Sequence, residues 1–122
     1  ISWTNLKNAY IRSIRADKVW GMSTPRQGKG VGVAVVDSGI NWQTDLYTPS
    51  GTNRVIVNQR FNSDYNQTTF DNFGHGSHVA GVVAGNGRDS NGAYIGVAPQ
   101  ANIINVKVSN DDGGATASTK VK

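Results

Sequence analysis

The sequence predicts an α/β protein built on a parallel sheet, and three observations carry that expectation. Residues 31–36 are a nearly continuous Val/Ala run, the pattern of a strand covered on both faces. A helical stretch at 75–84 and another apolar strand at 101–108 follow, and strands separated by a helix pair in parallel through a crossover. With 122 residues, 37 % of them apolar, the chain can bury one core and is too short for two domains. We therefore expect residues 1–122 to form part or all of a single domain, with no internal boundary.

Each element has a local cause. Residues 8–22 read as a helix, with Ala9, Ile11, Ile14, Val19 and Trp20 on one side and Arg12, Arg15 and Lys18 on the other. Pro25, Gly28 and Gly30 break the chain before the first strand. Residues 41–53, with Pro49 and Gly51, are loop, and 54–60 are a second, shorter strand around Val-Ile-Val. The helix at 75–84 is expected to turn His78, Val79, Val82 and Val83 inward and to stop at Gly85. A turn at 109–114 separates the third strand from a helix expected over 115–122.

Composition removes several function classes. No apolar run approaches the roughly 18 residues of a membrane-spanning helix. The absence of cysteine excludes disulfides, thiol catalysis and Cys-ligated metals. The 12 Lys and Arg outnumber eight acids, all Asp, but they are scattered singly, as on a solvated surface rather than a nucleic-acid interface. Gly28, Gly30 and Gly32 precede their strand instead of following it, and Asp37 would aim a carboxylate where a pyrophosphate should sit. A dinucleotide site is therefore disfavoured.

Two positions can carry chemistry. Asp37 ends the first strand, and in open α/β sheets functional groups gather beyond the carboxyl ends of the strands. An Asp in that place, taken alone, is more often the cap of a turn. His75 opens a helix between Gly74 and Gly76, which let another segment or a substrate approach the ring. Alone it is more often a packed or capping histidine. His78, one turn later, raises a metal site, but the His-Glu-x-x-His pattern is missing and a core or supporting role fits better.

Jointly, these segments resemble the subtilisin-like serine proteases, the subtilases. Val33-Ala-Val-Val-Asp37-Ser-Gly-Ile40 is similar to the family's catalytic-Asp motif. Gly74-His75-Gly-Ser-His78-Val-Ala-Gly81 resembles its catalytic-His motif, with Ser77 where Thr is more usual. Gly96-Val-Ala-Pro-Gln-Ala-Asn-Ile103 and Val106-Lys-Val108 resemble the approach to its next core strand. The resemblance implies a three-layer α/β/α architecture with a mostly parallel sheet, truncated here, and peptide-bond hydrolysis by an Asp-His-Ser triad. It implies His75 as general base, Asp37 as its orienting carboxylate, Ser38 and His78 as supporting residues, and Asp112, Gly113 and Gly114 on a substrate-pairing edge.

The family's Gly-Thr-Ser-Met-Ala type motif does not occur in this sequence. We therefore expect the chain to be the N-terminal portion of a catalytic domain, inactive alone and partnered by the remainder of that domain. A non-catalytic, subtilase-like binding or regulatory domain is the alternative. No cofactor is implied for catalysis. Structural calcium is open, with Asp45-Leu46 resembling one ligand position. Protein or peptide substrates and secretion also follow from the resemblance, whereas nucleic acid and membrane do not.

Overall fold

The structure is a computed structural model that describes residues 9–63 and 68–115. Two short helices, α1 (Ala9–Ser13) and α2 (Ala16–Trp20), precede strand β1 (Gly32–Asp37). Strand β2 (Val55–Arg60), helix α3 (His75–Ala84) and strand β3 (Asn102–Lys107) follow, with single 3-10 turns at Thr44–Leu46 and Arg88–Ser90.

The three strands form one parallel sheet in the order β1-β3-β2. The β1–β3 register pairs Gly32 with Asn102 and ends on Asp37 opposite Lys107. An irregularity in β2 falls between Val55 and Val57. The expected α/β class and parallel pairing are therefore present, and α3 crosses between the neighbours β2 and β3.

The core lies between the sheet and α3. Val35, Ile40, Leu46, Ala80, Ala84, Ala101 and Ile103 are buried there, with Val33, Val55, Val79 and Val83 packed against them. The side chain facing β1 from α3 is small at every turn, because Gly76, Ala80 and Ala84 recur at i, i+4 and i+8. This corrects the expected inward face. Val79 and Val83 reach the core, but His78 and Val82 are exposed. Valine content suggested one stripe, whereas the close approach of helix to sheet selected the row with least bulk.

Two further expectations change. The helix predicted over 8–22 is broken at Arg15, which sits in the left-handed region at φ 60° and separates α1 from α2. Tyr10 and Trp20 then tie the pair to the chain by donating to the Ile95 and Val97 carbonyls. Strand β1, read as covered on both faces, is covered on one only among the described residues. Val35 is buried, while Ala34 and Val36 are exposed on the opposite face. Strand β1 is also an edge of this sheet. The helix expected over 115–122 lies outside the described residues apart from Ala115.

Candidate active site

The end of β1 and the start of α3 meet. Asp37 is the last residue of β1 and His75 the first of α3. His75 Nδ1 lies 2.8 Å from Asp37 Oδ2 and 2.9 Å from Oδ1. An ionised carboxylate only accepts hydrogen bonds, so Nδ1 carries the shared proton, and in the neutral ring Nε2 keeps its lone pair. The imidazole side chain is 60 % exposed and the carboxylate 19 %. The imidazole is thus reachable, while the carboxylate is largely enclosed.

The Asp37 carboxylate is held in its ionised form. Burial alone would raise its pKa, but the hydrogen bond from His75 and the Ser38 N–H, 2.7 Å from Oδ1, outweigh burial and leave it below the usual carboxylate range. Backbone geometry supports this. The Asp37 carbonyl accepts from the Val108 and Ser109 N–H groups at 2.9 and 3.2 Å, fixing the strand end to the chain leaving β3.

Ser38 is buried, and its backbone N–H bonds to Asp37. Its hydroxyl donates to Asp71 Oδ1 at 2.7 Å and accepts the Gly76 N–H at 2.9 Å. Asp71 is itself buried. Besides Ser38 it accepts the Gly74 and Ser77 N–H groups, each at 2.7 Å. Burial pushes its carboxyl up, but the Ser77, Ser38 and Gly74 donors together hold it below the usual range. A negative group there also satisfies amides at the N-terminus of α3, which has no partners of its own for them.

Two glycines make the junction possible. A Cβ on Gly76 would lie 2.2 Å from the Gly39 carbonyl oxygen and 3.2 Å from Asp37 Cβ, so α3 meets the strand end with no room for a side chain. Gly39 has φ +111°, and a Cβ there would strike the Thr69 and Phe70 carbonyls.

The remaining predicted site residues divide. His78 is exposed, and its side chain is not among the groups whose hydrogen bonds join Asp37, Ser38, Asp71 and His75, so the structure does not bring it to the pair. A cavity of about 410 Å³ opens beside the pair, lined by Asp37, Ser38, His75, Phe73, Val108 and Gly113 among others. Gly113 therefore faces the site, with the Phe73 ring directly above it. Asp112 and Gly114 instead close their own turn, Asp112 Oδ1 accepting the Gly114 N–H at 2.8 Å. Larger and smaller hollows of about 520 and 250 Å³ lie elsewhere and carry no carboxylate or imidazole in their linings.

Asp45, the position considered for calcium, makes hydrogen bonds within the chain. One of its carboxylate oxygens accepts the Asp89 N–H at 2.7 Å, and its carbonyl accepts from the buried cation Arg54 at 2.8 Å. Among the described residues no three or more His, Cys, Asp or Glu side chains gather in one place. Arg54 also donates to the Ala84 and Ala101 carbonyls, joining the C-terminus of α3 to the start of β3.

Asp71, Arg54 and Lys107, all buried, are not singled out by sequence pattern. The signal for Asp71 is an acid four residues ahead of a helix-opening histidine. For Lys107 it is a cation between two valines in an apolar strand, which is costly unless paired.

Known proteins share sequence and fold with this chain. The family model described as the subtilase family, Peptidase_S8, matches residues 28–122. The chain is 48 % identical over 91 residues to "Serine protease AprX" of Bacillus subtilis (strain 168), covering 73 % of this chain and 19 % of that protein. It is 37 % identical over 108 residues to the "Major intracellular serine protease" of the same organism, covering 86 % of this chain and 31 % of the relative. A crystal structure of MycP1 from the ESX-1 type VII secretion system superposes with a TM-score of 0.58 at 25 % identity, over 85 % of this chain and 24 % of that one. The chain thus spans between about a fifth and a third of the length of these relatives.

Proposed function

We propose, from the premise that this chain belongs to the subtilase family, that it supplies the base and its orienting carboxylate to a serine endopeptidase. In this reading His75 Nε2 takes the proton of a serine hydroxyl as that oxygen attacks a peptide carbonyl. The same nitrogen then returns the proton to the departing amine. Asp37 keeps the proton on Nδ1 and stabilises the imidazolium formed in between, without being protonated itself. Ser38 and Asp71 hold Asp37 and the start of α3 in register, and Gly113 leaves space for substrate backbone. The serine comes from the remainder of the catalytic domain, which would also cover the exposed face and free edge of β1.

One observation carries this reading. Asp37 and His75, 38 residues apart, meet at 2.8 Å beside an open cavity at the carboxyl ends of the strands. Substrates are proteins or peptides, with no cofactor taking part. Secretion enters from the resemblance alone, and the relative named as intracellular stands against generalising it. Fractionating cells and medium decides that point.

A fluorophosphonate probe, which labels an activated serine, tests the proposal. The 122-residue chain alone should not be labelled. Combined with the remainder of its domain, the serine of the other part should be, and H75A should abolish labelling. Covalent labelling of this chain itself would overturn the division of roles. An intact protein that binds peptide without any reactive serine would instead support a binding or regulatory domain.

A further inference from the structure

We propose that Lys107 is a positioning residue for the Asp37–His75 pair, fixing the turn that carries Asp37 and joining it to the 109–114 loop; this rests on the protease reading above. Its side chain is fully buried, a place where strand β3 could hold an apolar residue at no desolvation cost. An ammonium has three N–H donors, and all three are used. Nζ donates to the Ser38 carbonyl at 2.6 Å, to the Phe70 carbonyl at 2.9 Å and to Asp111 Oδ1 at 3.0 Å.

Those three acceptors belong to three different parts of the site. Ser38 follows Asp37, Phe70 precedes Asp71, and Asp111 lies in the loop whose Gly113 lines the cavity. Lys107 is also the register partner of Asp37. Ser38 is consequently clamped at both ends, its hydroxyl by Asp71 and its carbonyl by Lys107, which leaves its N–H directed at Asp37 Oδ1. Asp111 is tied a second time, its Oδ2 accepting from Asn72 Nδ2 at 2.8 Å. The loop is therefore tied through this ammonium to the turn that aims the carboxylate, alongside the Val108 and Ser109 amides on the Asp37 carbonyl.

The Asp37 carboxyl reports on this arrangement, because its ionisation depends on the Ser38 N–H and on His75. The experiment is a carbon-detected carboxyl titration of Asp37 in the intact protein that carries this sequence, as wild type, K107M, K107R and H75Q. Arginine keeps the charge, but its planar fork cannot serve acceptors arranged around a tetrahedral ammonium. We expect both K107M and K107R to move the Asp37 midpoint up toward the ordinary carboxylate value, by about half a unit or more. A folded K107M with the wild-type midpoint overturns the proposal. So does a K107R that keeps the wild-type midpoint, since charge alone would then suffice. Thermal unfolding establishes that each variant is folded, and K107R decides if K107M does not fold. H75Q separates the two levels: a midpoint indifferent to H75Q overturns the Asp37–His75 coupling itself, whatever Lys107 does.

Discussion

Gly76 in α3 stands so close to Gly39 that a Cβ on it would lie 2.2 Å from the Gly39 carbonyl oxygen. That contact sets the distance between helix and strand, and hence whether His75 reaches Asp37. G76A should force α3 away from β1, costing about 1–3 kcal/mol, the range for overpacking a filled interior. Thermal unfolding measures it. Gly81, on the same helix with open space for 4 Å around the place a Cβ would take, provides the control. G81A should be neutral or stabilising by up to about 1 kcal/mol.

Asp71 anchors the start of α3 through three donors, and D71N would weaken all three at once. We expect a loss of about 1–3 kcal/mol at neutral pH, read by urea unfolding. The pH dependence has a definite sign. A carboxyl whose folded pKa is depressed stabilises the fold above its unfolded pKa of about 3.9, and that stability is lost as pH falls through the lower folded value. The difference between wild type and D71N should therefore shrink below about pH 4. A difference that grows on acidification would contradict the assignment.

On the proposed protease reading, neutralising Asp37 should leave the fold and remove most of the chemistry. In the intact protein that carries this sequence, D37N should lower kcat on the order of 10⁴-fold, because the His75 ring would lose its fixed tautomer. Steady-state kinetics on a peptide substrate measures this. A D37N enzyme within tenfold of wild type would leave Asp37 as a turn cap.

Arg54 joins three carbonyls, from Asp45, Ala84 and Ala101, with one buried guanidinium. R54M strands those acceptors and should cost about 3 kcal/mol. R54K should recover only part, since a point charge cannot span the same fork. Chemical denaturation of the three proteins, compared at one pH, gives the ranking.

Gly113 has φ +84°, and a Cβ on it would lie 2.7 Å from the Phe73 ring. G113A should displace that ring and strain the turn by about 1 kcal/mol or more. Because both groups line the cavity, peptide KM should rise more than kcat falls, a split visible in the same kinetic assay.

Much of this was legible in the residues themselves. The Val/Ala run at 31–36, the glycines around His75 and the apolar strand at 101–108 fixed the class, the parallel pairing and the bounds of α3, because these follow from local periodicity and breakers. Asp37 and His75 were identifiable because their motifs occur together, in order. The break at Arg15 was not legible: the apolar stripe runs through it, and docking of Tyr10 and Trp20 onto residues 95–97 overrides local helical preference.

Long-range contact decided the rest. The sequence alone determined which residue types were available: a carboxylate at a strand end, an imidazole at a helix start, and small residues between. Only the tertiary structure decided that His78 faces outward while Gly76 faces in, that the Ser38 hydroxyl donates to Asp71, and that Lys107 is buried against Ser38, Phe70 and Asp111. The reason is physical. Periodicity states which side chains share a face, but the cost of burying a charge or a hydroxyl is settled by partners that lie tens of residues away.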